Sequence, residues 1–431
     1  MTEVSQATAI DNATVAAQGA MPPDSPNEEG QALSWNAFFS IYFPAMLLAL
    51  GTGIALPAIP RIAKSFDVGF GLASFVITAF LIGGMVGSLP TGWMIDRFGR
   101  RPIMIAGPLL TAAMALMVLT AHSFPELLVY RFLDGWAAQM WLLGRLARIS
   151  YGAASGQRGR QVTWMYGMDN VGRFSGPLVG GFIAATWGER SPFAAYALLA
   201  LLALIPTIKL APEIRIPRRA GGEGQAEARS MSLKEIVKPR IALFGVALFS
   251  AMARGPIFAG MMHLYAAYAY NLDAQSIGIL ATTTSIMSMP VSFTSGWLMD
   301  RFGRKVTMVP GFLGVTVTML AVAVTAFLRL PLAWYVAAFL CTTAAQSLTG
   351  GSVQTIGTDV APAAARGMFL GIWRFAGQVG TAVSPSIFAF LADRAGYGYS
   401  FVYVAAVALI VVVLLLTRVP DTRAQREPVP A

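Results

Sequence analysis

From residue 36 onward the chain alternates between long apolar stretches and short polar connections. A helix crossing hydrocarbon needs roughly 20 mainly apolar residues, because no water is present there to satisfy a backbone N–H or C=O. Twelve segments fit that pattern: 36–58, 70–94, 103–122, 125–147, 161–187, 192–211, 241–265, 275–299, 305–327, 331–355, 367–391 and 399–417. The fifth, eighth and eleventh are rich in Gly, Ser and Thr. The fold class this predicts is all-α and integral to the membrane, with twelve transmembrane helices. Residues 1–34 are polar, hold five acids and no Lys or Arg, and read as a disordered tail. No basic stretch precedes the first apolar run, which argues against a cleaved signal peptide. The one other long polar stretch, 213–240, contains IPRRAGGEGQAEARSMSLKEIVKPR. It reads as a linker between an N-terminal half, 35–212, and a C-terminal half, 241–418, with 419–431 as a second tail.

Two of the polar connections are near copies. GWMIDRFGRR, Gly92 to Arg101, separates the second and third spans. GWLMDRFGRK, Gly296 to Lys305, separates the eighth and ninth, 204 residues later, with seven of ten positions identical. A second pair of landmarks agrees. Arg158-Gly159 is followed, 19 residues after the Arg, by Pro177 in GRFSGPLVGG, and Arg366-Gly367 by Pro385 in GTAVSPSIFA, 208 residues later. The small difference in offset is about one helical turn. Matched landmarks at matched places predict two parallel six-helix repeats related by an axis along the membrane normal.

Composition adds to this. Charged residues are 12% and apolar residues 56% of the 431. A soluble fold of this size could not cover its surface with about half the usual share of charge, so the lipid bilayer is the expected partner. The net charge of +10 could suit nucleic acid, but Lys and Arg sit in short clusters between apolar runs, and no nucleic-acid partner is expected. With both termini in the cytoplasm, 22 Lys and Arg fall in inside loops, among them Arg97, Arg100, Arg101, Arg145, Arg148, Arg301, Arg304 and Lys305. Five fall outside, two of them (Arg61 and Lys64) flanking the first span. The imbalance predicts a multi-pass cell-membrane protein with cytoplasmic termini. The single cysteine, Cys341, excludes an internal disulfide.

The duplicated loop, Gly-x-x-x-Asp-Arg-x-Gly-Arg-Arg/Lys, resembles the signature of the major facilitator superfamily, over about residues 36 to 418. The fifth-span run Gly172, Gly176, Pro177, Gly180 and Gly181 is similar to that superfamily's antiporter motif, found in twelve-helix drug:proton antiporters, although Thr163 stands where a further glycine is expected. Arg131 with Gly135 is similar to a third motif, departing from it at Asp134. The resemblance implies that Asp96 meets the start of the eleventh helix and Asp300 that of the fifth, latching the halves on the cytoplasmic side in the outward-facing state. A carboxylate at a helix N-terminus is stabilised by roughly 0.3–1 kcal/mol. Gly92, Gly99, Gly296 and Gly303 would allow close approach and a tight turn. The arginines and Lys305 serve either this latch or topology alone. The glycine run implies a stiff, leak-limiting bend, or simply a tight helix crossing.

Charges inside spans are costly, about 2.5–3.5 kcal/mol each near the middle, and therefore mark function. Four arginines qualify, Arg131, Arg173, Arg254 and Arg374, against two acids, Asp134 and Asp169. Arg131 and Asp134 are three apart and Asp169 and Arg173 four apart, so each pair can share a helix face. Arg254 precedes Gly255-Pro256, where the seventh span is expected to break, and broken helices near the midplane line sites. Surplus positive charge favours an anionic or carboxylate-bearing small molecule. Asp169 is the first candidate to carry a proton, since its protonation would release Arg173 to hold an anion. His263, near a helix end, reads as structural or solvated. Trp141, Trp164, Tyr166 and Trp373 read as packing or interfacial anchors as readily as substrate contacts.

The chain has no Gly-x-x-x-x-Gly-Lys-Ser/Thr loop, no His-Glu-x-x-His and no Gly-x-Ser-x-Gly, so neither ATP hydrolysis nor a membrane enzyme is expected, and no cofactor or metal. The expected function is a monomeric, proton-coupled secondary transporter working by alternating access and exporting a small organic compound or drug, anionic compounds included. Proton-coupled import of an organic anion is the alternative, followed by a transport-inactive sensor.

Overall fold

The computed structural model describes residues 38–152, 158–210, 240–349, 352–360 and 366–419. Apart from Arg240 and Val419, the expected tails and linker lie outside them. Among the described residues there are helices and no strands. The helices are α1 (Phe43–Ala55, entered by a π-helical turn at Phe38–Tyr42), α2 (Ala58–Lys64), α3 (Phe70–Phe98), α4 (Arg100–Leu119), α5 (Phe124–Gly152), α6 (Arg158–Trp187) and α7 (Ser191–Leu210) in the first half. The second half holds α8 (Ile241–Phe258), α9 (Met261–Ala269), α10 (Ala274–Phe302), α11 (Arg304–Phe327), α12 (Leu332–Ser347), α13 (Ser352–Asp359), α14 (Arg366–Arg394) and α15 (Tyr397–Thr417).

These helices account for the twelve expected spans, three of which are broken. The first is α1 plus α2, the seventh α8 plus α9, and the tenth α12 plus α13. Pro57, which has no N–H to continue the ladder, stands at the first break. The seventh span does not break at Gly255-Pro256 as expected. Helix α8 carries Pro256 within it and ends at Phe258, and Gly260, with φ +88°, makes the turn into α9. Pro256 costs only one backbone bond. The carbonyl it leaves, Met252 O, accepts instead from Ser384 Oγ at 2.7 Å. Ser384 thus has a structural reason to replace the glycine found at the matching place in α6.

By length and composition, nine of the described helical segments can cross a membrane. Helices α5, α6 and α12 do not qualify. The first two carry buried charges and the third is cut short at Ser347. The apolar signal is diluted where the inward faces are polar.

Within the halves, α1 packs on α6 and α8 on α14 in the same way. A Cβ at Gly172, Gly176 or Gly180 would overlap the α1 backbone near Met46, Gly53 or Ile54. One at Gly181 would stand 2.9 Å from Ala274 O on α10. The glycine run is therefore a tight crossing, with backbone against backbone. Between the halves, α3 lies along α14 and α6 along α10.

Candidate functional site: a cavity between the halves

The two loop motifs share one end of the bundle, here called the motif end. Gly99 and Gly303 turn the chain there with φ of +89° and +92°, a conformation open to glycine and strained for other residues. Arg97 lies 5.5 Å from the centre of the Trp93 ring and Arg301 5.3 Å from that of Trp297, so the duplicated tryptophans stack on the duplicated arginines. Asp96 is exposed and makes no ion pair or hydrogen bond with a described residue. The residues leading into the eleventh span, where the resemblance places the partner of Asp96, lie outside the described residues. The Asp300 side chain lies outside what the structure describes. Gly92 and Gly296 have nothing within 4 Å of where a Cβ would stand, so neither serves close approach in this state. Arg101 instead donates to Ile208 O at 2.9 Å, within its own half.

At the distal end the halves meet. Lys64 Nζ donates to Asn271 Oδ1 at 2.7 Å, Tyr268 OH to Val68 O at 3.1 Å, and Gly71 N to Asp393 Oδ1 at 2.9 Å. These three are the hydrogen bonds that join the halves among the described residues. Phe70 adds apolar closure against Tyr268, Phe388 and Tyr397, with ring centres 5.0 to 6.2 Å away. Among the described residues, the halves are thus hydrogen-bonded to each other at the distal end alone. The Gly71–Asp393 contact is the device the sequence suggested for Asp96, a carboxylate on the first turn of another helix, found at the opposite end of the same helix pair.

A cavity of about 330 Å³ lies between the halves, walled by α1, α6, α8, α9, α10 and α12. Arg173 from α6 and Arg254 from α8 line it, with no carboxylate among the lining residues. Arg254 lies 4.9 Å over the Phe258 ring, and its Nε is buried without a partner. His263, which the sequence marked as structural or solvated, is buried, lines the cavity, and has both ring nitrogens unpaired. Arg374 does not line the cavity: it is exposed on α14.

Behind this cavity lie two buried ion pairs. Arg131 Nη1 is 2.6 Å from Asp134 Oδ2, as the three-residue spacing predicted. Tyr196 OH donates to Asp134 Oδ1 at 3.3 Å, and Thr52 Oγ1, on the cavity wall, lies 3.3 Å from that phenol oxygen. The second pair differs from expectation. Asp169 pairs with Arg145 (3.5 Å) and not with Arg173, which turns to the cavity. Arg145 is no loop residue either: it is 2% exposed, and its guanidinium stacks 4.1 Å from the Trp141 ring centre. The signal was present, since position 145 falls inside the 125–147 segment, but a partner 24 residues away cannot be read from one helix's periodicity.

Two similar helical halves around a charged polar cavity, with the described hydrogen bonds between them at one end, define a membrane transporter rather than an enzyme. The chain belongs to the Major Facilitator Superfamily, whose model matches residues 41–364 and again 243–431. It is 26% identical to the quinolone resistance protein NorA of Staphylococcus aureus over 245 residues, 57% of this chain and 62% of that protein. To multidrug resistance protein 1 of Bacillus subtilis it is 26% identical over 256 residues, 59% of this chain and 64% of that one. The matched stretch thus spans a little under two thirds of these relatives. Among solved structures, a D-xylose-proton symporter superposes with TM-score 0.75 at 18% identity, covering 92% of this chain and 99% of that one. The inward open conformation of the xylose transporter XylE from E. coli gives 0.69 at 20% identity, covering 90% and 98%. At such identities these two neighbours speak for the fold.

Proposed function

We propose that the protein is a proton-coupled secondary transporter that works by alternating access and exports a small organic compound carrying an anionic group. The observation that carries this is the central cavity, which two arginines line and no carboxylate. An anion there neutralises charge that is otherwise expensive in a membrane interior. The drug-resistance names of the relatives support outward transport. The joined distal end is the outer end in this reading, which makes the state inward-facing, with both termini in the cytoplasm of a monomeric cell-membrane protein.

Asp134 and Asp169 carry the coupled proton in this reading. The earlier rationale for Asp169, release of Arg173, no longer applies, because Arg173 already faces the cavity. Protonation of Asp169 would release Arg145 instead. Asp134 has the more direct route, through Tyr196 and Thr52 to the cavity wall. The same arginines support import of an organic anion as the second reading.

The test is expression in a bacterium lacking its main exporters, with intracellular levels of a panel of organic acids, bases and neutral amphipaths measured by mass spectrometry. Lowered levels of acids, restored by an uncoupler and by Asp134→Asn or Asp169→Asn, are expected. Raised levels of acids would reverse the direction, and no change in any compound would refute transport of this class.

A further inference from the structure

We infer that the C-terminal wall of the cavity is a subsite for a carboxylate that also carries hydroxyl groups, with Arg254 taking the acid and Gln346 and the serine–threonine surface of α10 and α12 taking the hydroxyls. The inference rests on the reading of this cavity as the transport site. It starts from atoms that are buried and unused. Gln346 is 4% exposed, and its Oε1 has no hydrogen-bond partner. His263 is 8% exposed with neither nitrogen bonded, and its ring sits edge-on to Phe339 at 5.4 Å. Arg254 Nε is also unmatched. All three residues line the one cavity. A polar atom left buried without a partner costs about 1–3 kcal/mol, so a cavity that gathers several is built for something that supplies partners.

The hydroxyls decide what kind of partner. Each has one proton to give, and on this wall that proton is already used. Thr284 and Ser285 donate to Ala281 O, Ser288 to Ser285 O, and Ser292 to Ser288 O, at 2.7 to 3.0 Å. On α12, Thr343 donates to Phe339 O at 2.9 Å and Ser347 to Thr343 O at 2.8 Å. What these side chains turn to the cavity is therefore lone pairs, and Gln346 Oε1 adds another acceptor. A ligand must bring O–H donors to this surface and an acceptor anion to Arg254. A fatty acid has only the second, a sugar alcohol mainly the first, and a lipophilic cation neither.

Four probes of similar length separate these cases on the purified full chain by titration calorimetry: gluconate, hexanoate, sorbitol and hexyltrimethylammonium. Gluconate is expected to bind at least tenfold more tightly than the other three. Gln346→Leu is expected to bring gluconate down to the level of hexanoate and leave hexanoate unchanged, whereas Arg254→Gln weakens both acids alike. Gln346→Met carries the same expectation should the leucine variant not fold. The inference is overturned if gluconate fails to bind, if hexanoate, sorbitol or the ammonium ion matches it, or if Gln346→Leu weakens both acids equally. Uncoupler-sensitive efflux of any compound, lost in Asp134→Asn, would leave the transport reading standing when this subsite fails.

Discussion

The distal contact between α3 and α14 gives a perturbation whose size can be worked out. Gly71 is the second residue of α3, and its N–H points out of the first turn at Asp393 Oδ1, 2.9 Å away. A carboxylate so placed gains roughly 0.3–1 kcal/mol from the helix dipole, and Asp393 is exposed, so the upper end of that range bounds the effect. One kcal/mol changes a two-state ratio about fivefold. A Cβ on Gly71 would overlap Oδ2 of Asp393 and stand 2.5 Å from its Cγ. Gly71→Ala must therefore expel the carboxylate, while alanine itself favours the helix by up to about 1 kcal/mol over glycine. Latch strength and helix stability move in opposite directions, which is what makes this variant informative. With the lone Cys341 replaced by serine, spin labels at His122→Cys and Leu328→Cys, exposed in distal loops of opposite halves, report the gap. Gly71→Ala and Asp393→Ala are both expected to raise the long-distance population relative to the short one, by at most about fivefold. Distance distributions unchanged in Gly71→Ala would refute the latch.

Three further outcomes follow from the contacts described. Gly180→Ala places a Cβ against the Ile54 carbonyl, and the backbone on both sides leaves nothing flexible to yield; overpacking of this kind costs about 1–3 kcal/mol, read as a lowered unfolding temperature in detergent. Ser384→Ala leaves Met252 O without the donor that replaces the missing Pro256 N–H, and a loss of about 1 kcal/mol is expected in the same assay, rescued by Thr. Asp273 caps α10 by accepting from Ser276 N at 2.9 Å, and its bonds to Ser276 hold its carboxyl below the usual carboxylate range. Its share of stability, about 0.5–2 kcal/mol by Asp273→Ala, is thus constant from pH 5 to 8 and lost only as pH falls through that lowered value. A midpoint difference between parent and variant that grows toward pH 8 would contradict this.

What could be read in the sequence was whatever depends on order along one helix. Apolar runs of span length, the duplicated GW–DRFGR loop, the glycine spacing of α6 and the Arg131–Asp134 pair all express repeat distances of a single chain segment, and those distances are fixed by backbone geometry. The breaks were legible less well. Proline marks a missing donor, but Ser384 on another helix replaces what Pro256 lacks, and the turn moves to Gly260.

The tertiary structure decided which faces meet. A helix in lipid is apolar nearly all round, so periodicity does not reveal its inward side, and its rotation is set by close packing such as that of the glycine run on α1. That rotation sends Arg173 to the cavity and Arg145 to Asp169, and leaves Arg374 exposed. It also brings together Gly71 and Asp393, 322 residues apart. The inventory of charges belonged to the sequence. Their pairing belonged to the fold, because opposite charges in a membrane find each other through space and not along the chain.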